Sequence, residues 1–239
     1  AHGPVIAFAP MTEPPSPLST IAQEQAWNRQ QMLEPVTRPR FAVWQYEAPA
    51  IVLGCSQRKF EDGARARLGG AAELLLRPSG GGAVLTVPWM VSCSVVLPLD
   101  HPWVQGRLPD SYHGLGQLHV DLLSNLGVTS TALPPDQVDA CNARTGPTVP
   151  WACYGSLAPW EVVDAAGRKL VGLAKRRQRT GVLLVAGTLV TPPDWALLCS
   201  AMGQPQDEAA MRRRTVDCTQ ISATPPDVRQ LARALQQAL

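Results

Sequence analysis

Hydrophobic positions in this chain fall into short runs broken by glycine and proline, with one-faced stripes at helical spacing between them. Residues 41–46, 50–53, 74–76 and 91–97 are apolar, β-branched or aromatic runs bounded by turn residues, and each predicts a strand. Residues 160–163, 169–174 and 182–190 predict three more, the last two joined at Arg179, Thr180 and Gly181 as a hairpin. Ser19 or Thr20 caps a helix, with Gln23 completing a capping box, and that helix runs to about Glu34 ahead of Pro35. Residues 61–68 read as one or two surface turns. Leu115, Leu118, Leu122, Leu123 and Leu126 share a face of a helix that starts near Asp110 or Ser111 and stops at Gly127. Residues 194–202 predict a short helix, and a basic stretch at 211–214 precedes a last helix from Asp227 with Val228, Leu231 and Leu235 on one side. Residues 132–150, with Pro134, Pro135, Gly146, Pro147 and Pro150, predict a loop.

Strands grouped apart from helices predict an α+β fold, a mixed or antiparallel sheet flanked by helices, rather than a doubly wound one. Residues 1–18 carry Pro4, Pro10, Pro14, Pro15 and Pro17 and predict an extended arm; residues 19–239 predict one domain.

Composition narrows the function classes. With 45% hydrophobic and 17% charged residues the chain has the makings of an ordinary core, and a net charge of +2 gives no global support for a nucleic-acid partner. No apolar run reaches membrane-spanning length and no basic-then-apolar leader opens the sequence, so a cytoplasmic protein without a membrane partner is expected. Cys55, Cys93, Cys141, Cys153, Cys199 and Cys218 form no Cys-x-x-Cys pair and have no nearby histidines, which argues against a metal site.

One stretch carries candidate chemistry. After the run at 74–76, Arg77 and Pro78 lead into Ser79 and three successive glycines, Gly80, Gly81 and Gly82, followed by Ala83. Three missing Cβ atoms let a ligand approach the main chain, and the planar fork of Arg77 could meet a carboxylate or phosphate. Local chemistry alone fits a hairpin turn equally well. Lys175, Arg176, Arg177 and Arg179 form a basic run at the later hairpin, which fits a solvated turn or a docking surface for an acidic partner.

Three segments together resemble the lipoate-protein ligase and octanoyltransferase family, relatives of biotin protein ligase. RPSGGGAV from Arg77 is similar to the family's Arg-x-Ser/Thr-Gly-Gly-Gly/Arg-Ala-Val segment, which lines the acyl tunnel; GRKLVGLAKRRQRTGVLLVAGTLV from Gly167 is similar to its Gly-Arg-Lys stretch and the following strand; EQAWNRQQ and FAVWQYEAPAIVLGCSQR are similar to its opening helix and strands. The resemblance implies transfer of an octanoyl or lipoyl group to a lysine of a lipoyl domain, in a 2-oxoacid dehydrogenase or a glycine-cleavage H-like protein, with an acyl carrier protein as donor. It implies substrate contacts at Arg77, Ser79, Gly80, Gly81, Gly82, Ala83, Gly172, Gly187 and Thr188. Lys169 matches the family's lysine and would hold the acyl carbonyl oxygen. Cys153, eight positions before Glu161, resembles the nucleophile of one octanoyltransferase class, and the Lys169 ammonium would favour its thiolate.

Two alternatives stay open. One is ATP-dependent lipoate ligation, needing ATP and Mg; the short stretch after Thr188 and the Thr86 and Val87 pair in place of His-Asp count against it. The other is a non-catalytic relative that binds an acyl group or carrier domain, since Leu173 and Ala186 also replace polar residues of the family pattern. The transferase route needs no cofactor beyond its octanoyl or lipoyl cargo.

Overall fold

In the computed structural model, residues 18–106 and 108–239 are described. The strands among them are β1 (Leu18–Ser19), β2 (Arg40–Tyr46), β3 (Ala50–Leu53), β4 (Glu73–Leu76), β5 (Val84–Thr86), β6 (Met90–Leu97), β7 (Thr131–Ala132), β8 (Val162–Val163), β9 (Lys169–Gln178) and β10 (Gly181–Leu189). The helices are α1 (Ile21–Gln31), α2 (Glu61–Leu68), α3 (His113–Asn125), α4 (Val138–Arg144), α5 (Trp195–Ala201), α6 (Glu208–Arg214), α7 (Cys218–Ile221) and α8 (Val228–Ala238). None is long and apolar enough to cross a membrane. The arm expected over residues 1–18 lies outside the described residues except for Leu18, which opens β1.

Two sheets result, a seven-stranded one in the order β1-β2-β6-β10-β9-β8-β7 and a three-stranded one in the order β4-β3-β5. β6 sits inside the large sheet because all eight of its residues are buried and it pairs antiparallel with β2 on one side and β10 on the other. Alternation then gives each strand two faces. Val91, Cys93, Val95 and Leu97 of β6, with Val182, Leu184 and Ala186 of β10, pack against Leu115, Leu122 and Leu123 of α3 and Leu231 and Leu235 of α8. The opposite face turns toward α1 and the small sheet.

Several elements depart from the sequence expectations for identifiable reasons. The Thr20 capping box forms, with Gln23 as its partner, but α1 stops at Gln31, where the Met32 N–H bonds back to Arg29 and Gln30 carbonyls. β2 and β3 follow one another closely yet belong to different sheets. β4 buries only Leu74, because it is an edge strand. Residues 132–150 are not all loop: Pro135 opens a short 3-10 turn that runs into α4, a position where proline's missing N–H costs nothing. The strand expected at 160–163 is only β8, and Trp160 instead takes a left-handed φ of 65°. The basic stretch at 211–214 is the end of α6.

Candidate active site

Small residues lie at the centre of the sheet face that turns away from α3 and α8. Ser92, Gly187 and Gly172 stand in register on β6, β10 and β9, and all three line a cavity of about 500 Å³. A Cβ on Gly187 would lie 2.7 Å from Tyr154 Oη, and one on Gly172 would lie 3.0 Å from Tyr154 Cζ. The two glycines therefore admit the Tyr154 ring against the sheet, where its hydroxyl donates to the Gly187 carbonyl at 2.6 Å. Thr188, one residue on, turns to the sealed face and is fully buried, so it is not part of the cavity wall.

The triple-glycine loop is not a hairpin turn. β4 pairs parallel and β5 antiparallel with β3 between them, so the loop crosses over the end of β3. It packs main chain on main chain: a Cβ at Gly82 would fall within 2.8 Å of the Trp151 to Cys153 backbone, and one at Gly54 would fall 2.1 Å from the Gly81 carbonyl oxygen. Across this contact the Ala83 N–H donates to the Trp151 carbonyl at 2.8 Å, and the Cys153 N–H donates to the Ala83 carbonyl at 2.9 Å. Ala83 thus holds Cys153 in place from outside the cavity wall. Arg77 does not present a free fork. Its guanidinium donates to the carbonyls of Gly80 (2.9 Å), Gly82 (2.8 Å) and Val52 (3.2 Å), organising the loop around itself. Ser79, Gly80, Gly81 and Gly82 all line the cavity beside it.

Cys153 lies on the same wall. Burial pushes its thiol up; the Lys169 ammonium pulls down, Glu161 adds to the rise, and Arg77 opposes it. The net direction is upward, the reverse of the thiolate expected from Lys169 alone, because desolvation is the largest influence.

Lys169 is 1% exposed and does not reach the cavity wall. Its Nζ donates to Glu161 Oε2 at 2.7 Å and to the Cys153 carbonyl at 2.9 Å, and lies 5.3 Å from the centre of the Tyr154 ring. Glu161 also accepts from the Ala158 N–H (2.8 Å) and the Leu173 N–H (3.0 Å). Such a buried pair holds its neighbours in one arrangement. In this arrangement the Lys169 ammonium is engaged by Glu161 and by the Cys153 carbonyl, and it stands behind the cavity wall. The left-handed Trp160 sets Glu161 at this spot, with its N–H donating to Leu133 O at 2.6 Å and its ring stacked on His113 at 3.9 Å.

The basic run does not form one surface, because strand alternation divides it. Lys175 donates to Ser111 Oγ at 2.7 Å over the Tyr112 ring, and Arg177 reaches the Val104 carbonyl at 3.5 Å. Arg176 points the other way; both it and Lys175 border the cavity, while Arg179 is exposed at the turn. The sequence reading missed the opposite wall, which is α1. Glu24 and Asn28 face the cavity one turn apart; Glu24 accepts from the Tyr46 hydroxyl at 2.7 Å, and Asn28 Oδ1 has no partner among the described residues. Burial pushes Glu24 up to about 7, against the pull of the Tyr46 hydrogen bond. The available signal was the odd composition of that stripe: Ile21, Glu24 and Asn28 form the buried side of α1, where apolar residues are the rule. Among the described residues no group of three His, Cys, Asp or Glu side chains converges as a metal site.

Residues 19–239 match the family profile described as the lipoyl protein ligase A/B catalytic domain. The chain belongs to that family. Within it, the octanoyltransferase LipM of Kyrpidia tusciae is 30% identical over 181 residues, which cover 75% of this chain and 64% of that protein, so the chain spans less than two thirds of that relative's length. Among solved structures, a lipoate-protein ligase A bound with ATP superposes with a TM-score of 0.66 at 18% identity, covering 92% of this chain and 79% of that one. The bipartite lipoate protein ligase of Thermoplasma acidophilum, solved in a study that includes its E2 lipoyl domain, gives 0.63 at 16% identity over 91% and 76%. At these identities the two structures establish the fold. This lipoyl ligase A/B domain departs from the family pattern at positions whose side chains are accommodated: Thr86 donates to the Ala50 carbonyl at 3.3 Å, and Val87, Leu173 and Ala186 are buried in the cores.

Proposed function

We propose that the domain transfers an octanoyl or lipoyl group from an acyl carrier protein to a lysine of a lipoyl domain, through a thioester on Cys153. One observation carries this reading: of the six cysteines, only Cys153 lines the larger cavity. In the first step Sγ attacks the carbonyl carbon of the donor thioester. The C–Sγ bond forms, the C–S bond to the carrier breaks, and the Cys153 proton goes to the departing carrier sulfur. In the second step the neutral ε-amine of the acceptor lysine attacks the same carbon; the amide forms, the C–Sγ bond breaks, and one amine proton returns to sulfur.

The acyl chain would lie along the floor of Ser92, Gly187 and Gly172, with Tyr154 beside it. Lys169 and Glu161 would keep the Cys153 segment rigid against the glycine loop during both steps. An open cavity beside Gly80, Gly81 and Gly82 supports an acyl-binding domain over a relative with a blocked tunnel. The transferase route takes no nucleotide, whereas ligation would require ATP and Mg. Lipoyl domains of a 2-oxoacid dehydrogenase or of a glycine-cleavage H-like protein are the acceptors this reading names, and the cytoplasm is where it would meet them.

Intact-protein mass after incubation with octanoyl-loaded carrier protein, beside octanoate with ATP and magnesium, tests the route. The expected result is a hydroxylamine-labile octanoyl adduct from the carrier that Cys153→Ala abolishes. Modification of an added lipoyl domain only with ATP, unchanged in Cys153→Ala, would sink the cysteine route and make the domain a ligase.

A further inference from the structure

A second groove, of about 480 Å³, adjoins the acyl cavity, and its chemistry is different. Four arginines line it, Arg29, Arg58, Arg77 and Arg176, and among the described residues no carboxylate does. They come from four separate places: the last turn of α1, the 3-10 turn at Cys55–Phe60, the residue after β4, and β9. None of the four is in an ion pair among the described residues. Arg77 is turned onto the loop carbonyls; the like charges of Arg29, Arg58 and Arg176 beside it repel one another, so the arrangement is suited to an anion that bridges them. Exposed Leu33 and half-buried Leu76 give the same groove an apolar side.

Arg77 and Arg176 line both the groove and the acyl cavity, so the two spaces meet at those side chains. Cys153 lines the cavity and exposed Cys55 lines the groove, with Arg77 bordering both. A molecule anchored by an anionic group among the arginines could therefore pass Arg77 and present its far end at Cys153. We propose that the groove binds the phosphate end of a phosphopantetheine arm, whose thioester end delivers the acyl group to Cys153. This rests on the acyl-transfer reading above and gives its donor a handle other than the acyl chain. Arg29 and Arg58, which touch the groove alone, are the residues that hold the phosphate without lining the acyl site.

The test compares phosphate-bearing donors, octanoyl-phosphopantetheine, octanoyl-coenzyme A and octanoyl-carrier protein, with octanoyl-pantetheine, which differs from the first by the phosphate alone. Cys153 acylation is followed by intact mass in the wild type and in Arg29→Ala/Arg58→Ala. The wild type is expected to prefer each phosphate-bearing donor in kcat/KM by about tenfold or more, since a charge-assisted hydrogen bond to an anion is worth on the order of a tenfold change. The double variant should lose that preference and keep its rate with octanoyl-pantetheine, which also shows that it is folded. Equal use of all four donors by the wild type would overturn the proposal, as would equal slowing of all four by the variant. Slowing confined to the carrier protein would overturn it too, and would assign the arginines to an acidic protein surface. If no thioester acylates Cys153 the transfer reading falls, and titration calorimetry with free phosphopantetheine against pantetheine decides the groove separately. Tighter binding of the phosphate form, weakened in the double variant, upholds it; equal or absent binding ends it.

Discussion

The two faces of β6 and β10 are made from alternate residues of the same strands, yet one is a seal and the other a site. On the sealed face the alternate positions from Val91 to Leu97 and from Val182 to Ala186 join one buried cluster with α3 and α8 through aliphatic or thiol groups. On the cavity face the matching positions include Ser92 and Gly187, and the neighbouring strand adds Gly172. A strand buried on both sides normally reads as continuous bulk. Here it lacks bulk on one side only, and that shortage leaves the room in which Tyr154 and the cavity lie. The fold thus separates its source of stability from its site by the direction of a side chain, across the thickness of one sheet.

Two substitutions on β10 would break this comparison if it were wrong. Leu184→Ala removes a fully buried side chain from the sealed face, and should cost about 2–5 kcal/mol in urea denaturation while leaving acyl transfer per folded molecule unchanged. Gly187→Leu, three residues on, places a side chain where Tyr154 Oη already stands, and should abolish octanoate binding by calorimetry while costing less stability. The reverse pattern would mean that the cavity face, not the seal, holds the sheet together.

The faces should also differ in how they respond to pH. Glu24 on the cavity side has a folded pKa raised from 4.5 to about 7, so the folded state holds the proton more tightly. Its contribution is full below pH 4.5 and is lost as pH rises to about 7, an upper bound of roughly 3 kcal/mol. His119, buried on the α3 side with Nδ1 2.8 Å from the Leu115 carbonyl, is pushed by burial from 6.5 down to about 4, and so adds stability as pH rises through that range. Opposite signs in overlapping windows flatten the wild-type curve. The difference between wild type and Glu24→Gln isolates the carboxyl: the wild type should lose stability relative to the variant between pH 4.5 and 7 and stay parallel above. Cys93, its thiol pushed up to about 12, does not titrate in this window. A difference that does not change with pH would show that Glu24 is ionised throughout.

Much of this architecture was legible before any coordinates. The capping box at Thr20, the β9–β10 hairpin, the stripe of α3 and the glycine loop are local patterns, and local patterns read well. The family resemblance named Cys153, Lys169 and the loop from residue type and order alone. Direction was not legible. Arg77 read as a free fork because nothing in RPSGGG says that the guanidinium turns back onto Gly80 and Gly82. Lys169 read as an open cation because its partner Glu161 is defined by a backbone turn at Trp160. The arginines of the run at 175–179 separate by strand alternation, and Arg176 joins Arg29 and Arg58, which are remote in sequence. Glu24 and Asn28 went unnoticed because their inward orientation depends on where α1 docks.

The smallest effect sharpens the comparison most, because it asks whether every polar residue on the cavity face serves the cavity. Ser94 lies two residues beyond Ser92 on the same side of β6, but it is fully buried and absent from the cavity wall. Its hydroxyl instead accepts from Trp44 Nε1 at 2.9 Å, in a region where the Trp44 ring meets Trp27 edge-on. Ser94→Ala leaves a buried indole N–H without its acceptor, and the expected cost is about 1 kcal/mol in urea denaturation. Acyl transfer should be unaffected, since neither Ser94 nor Trp44 lines the cavity. Ser92→Ala would touch the floor itself, so its effect should fall on octanoate affinity more than on stability. If Ser94→Ala weakened octanoate binding as much as Ser92→Ala did, the floor would extend under Trp44, and the boundary between site and scaffold would lie one residue pair further along the strand.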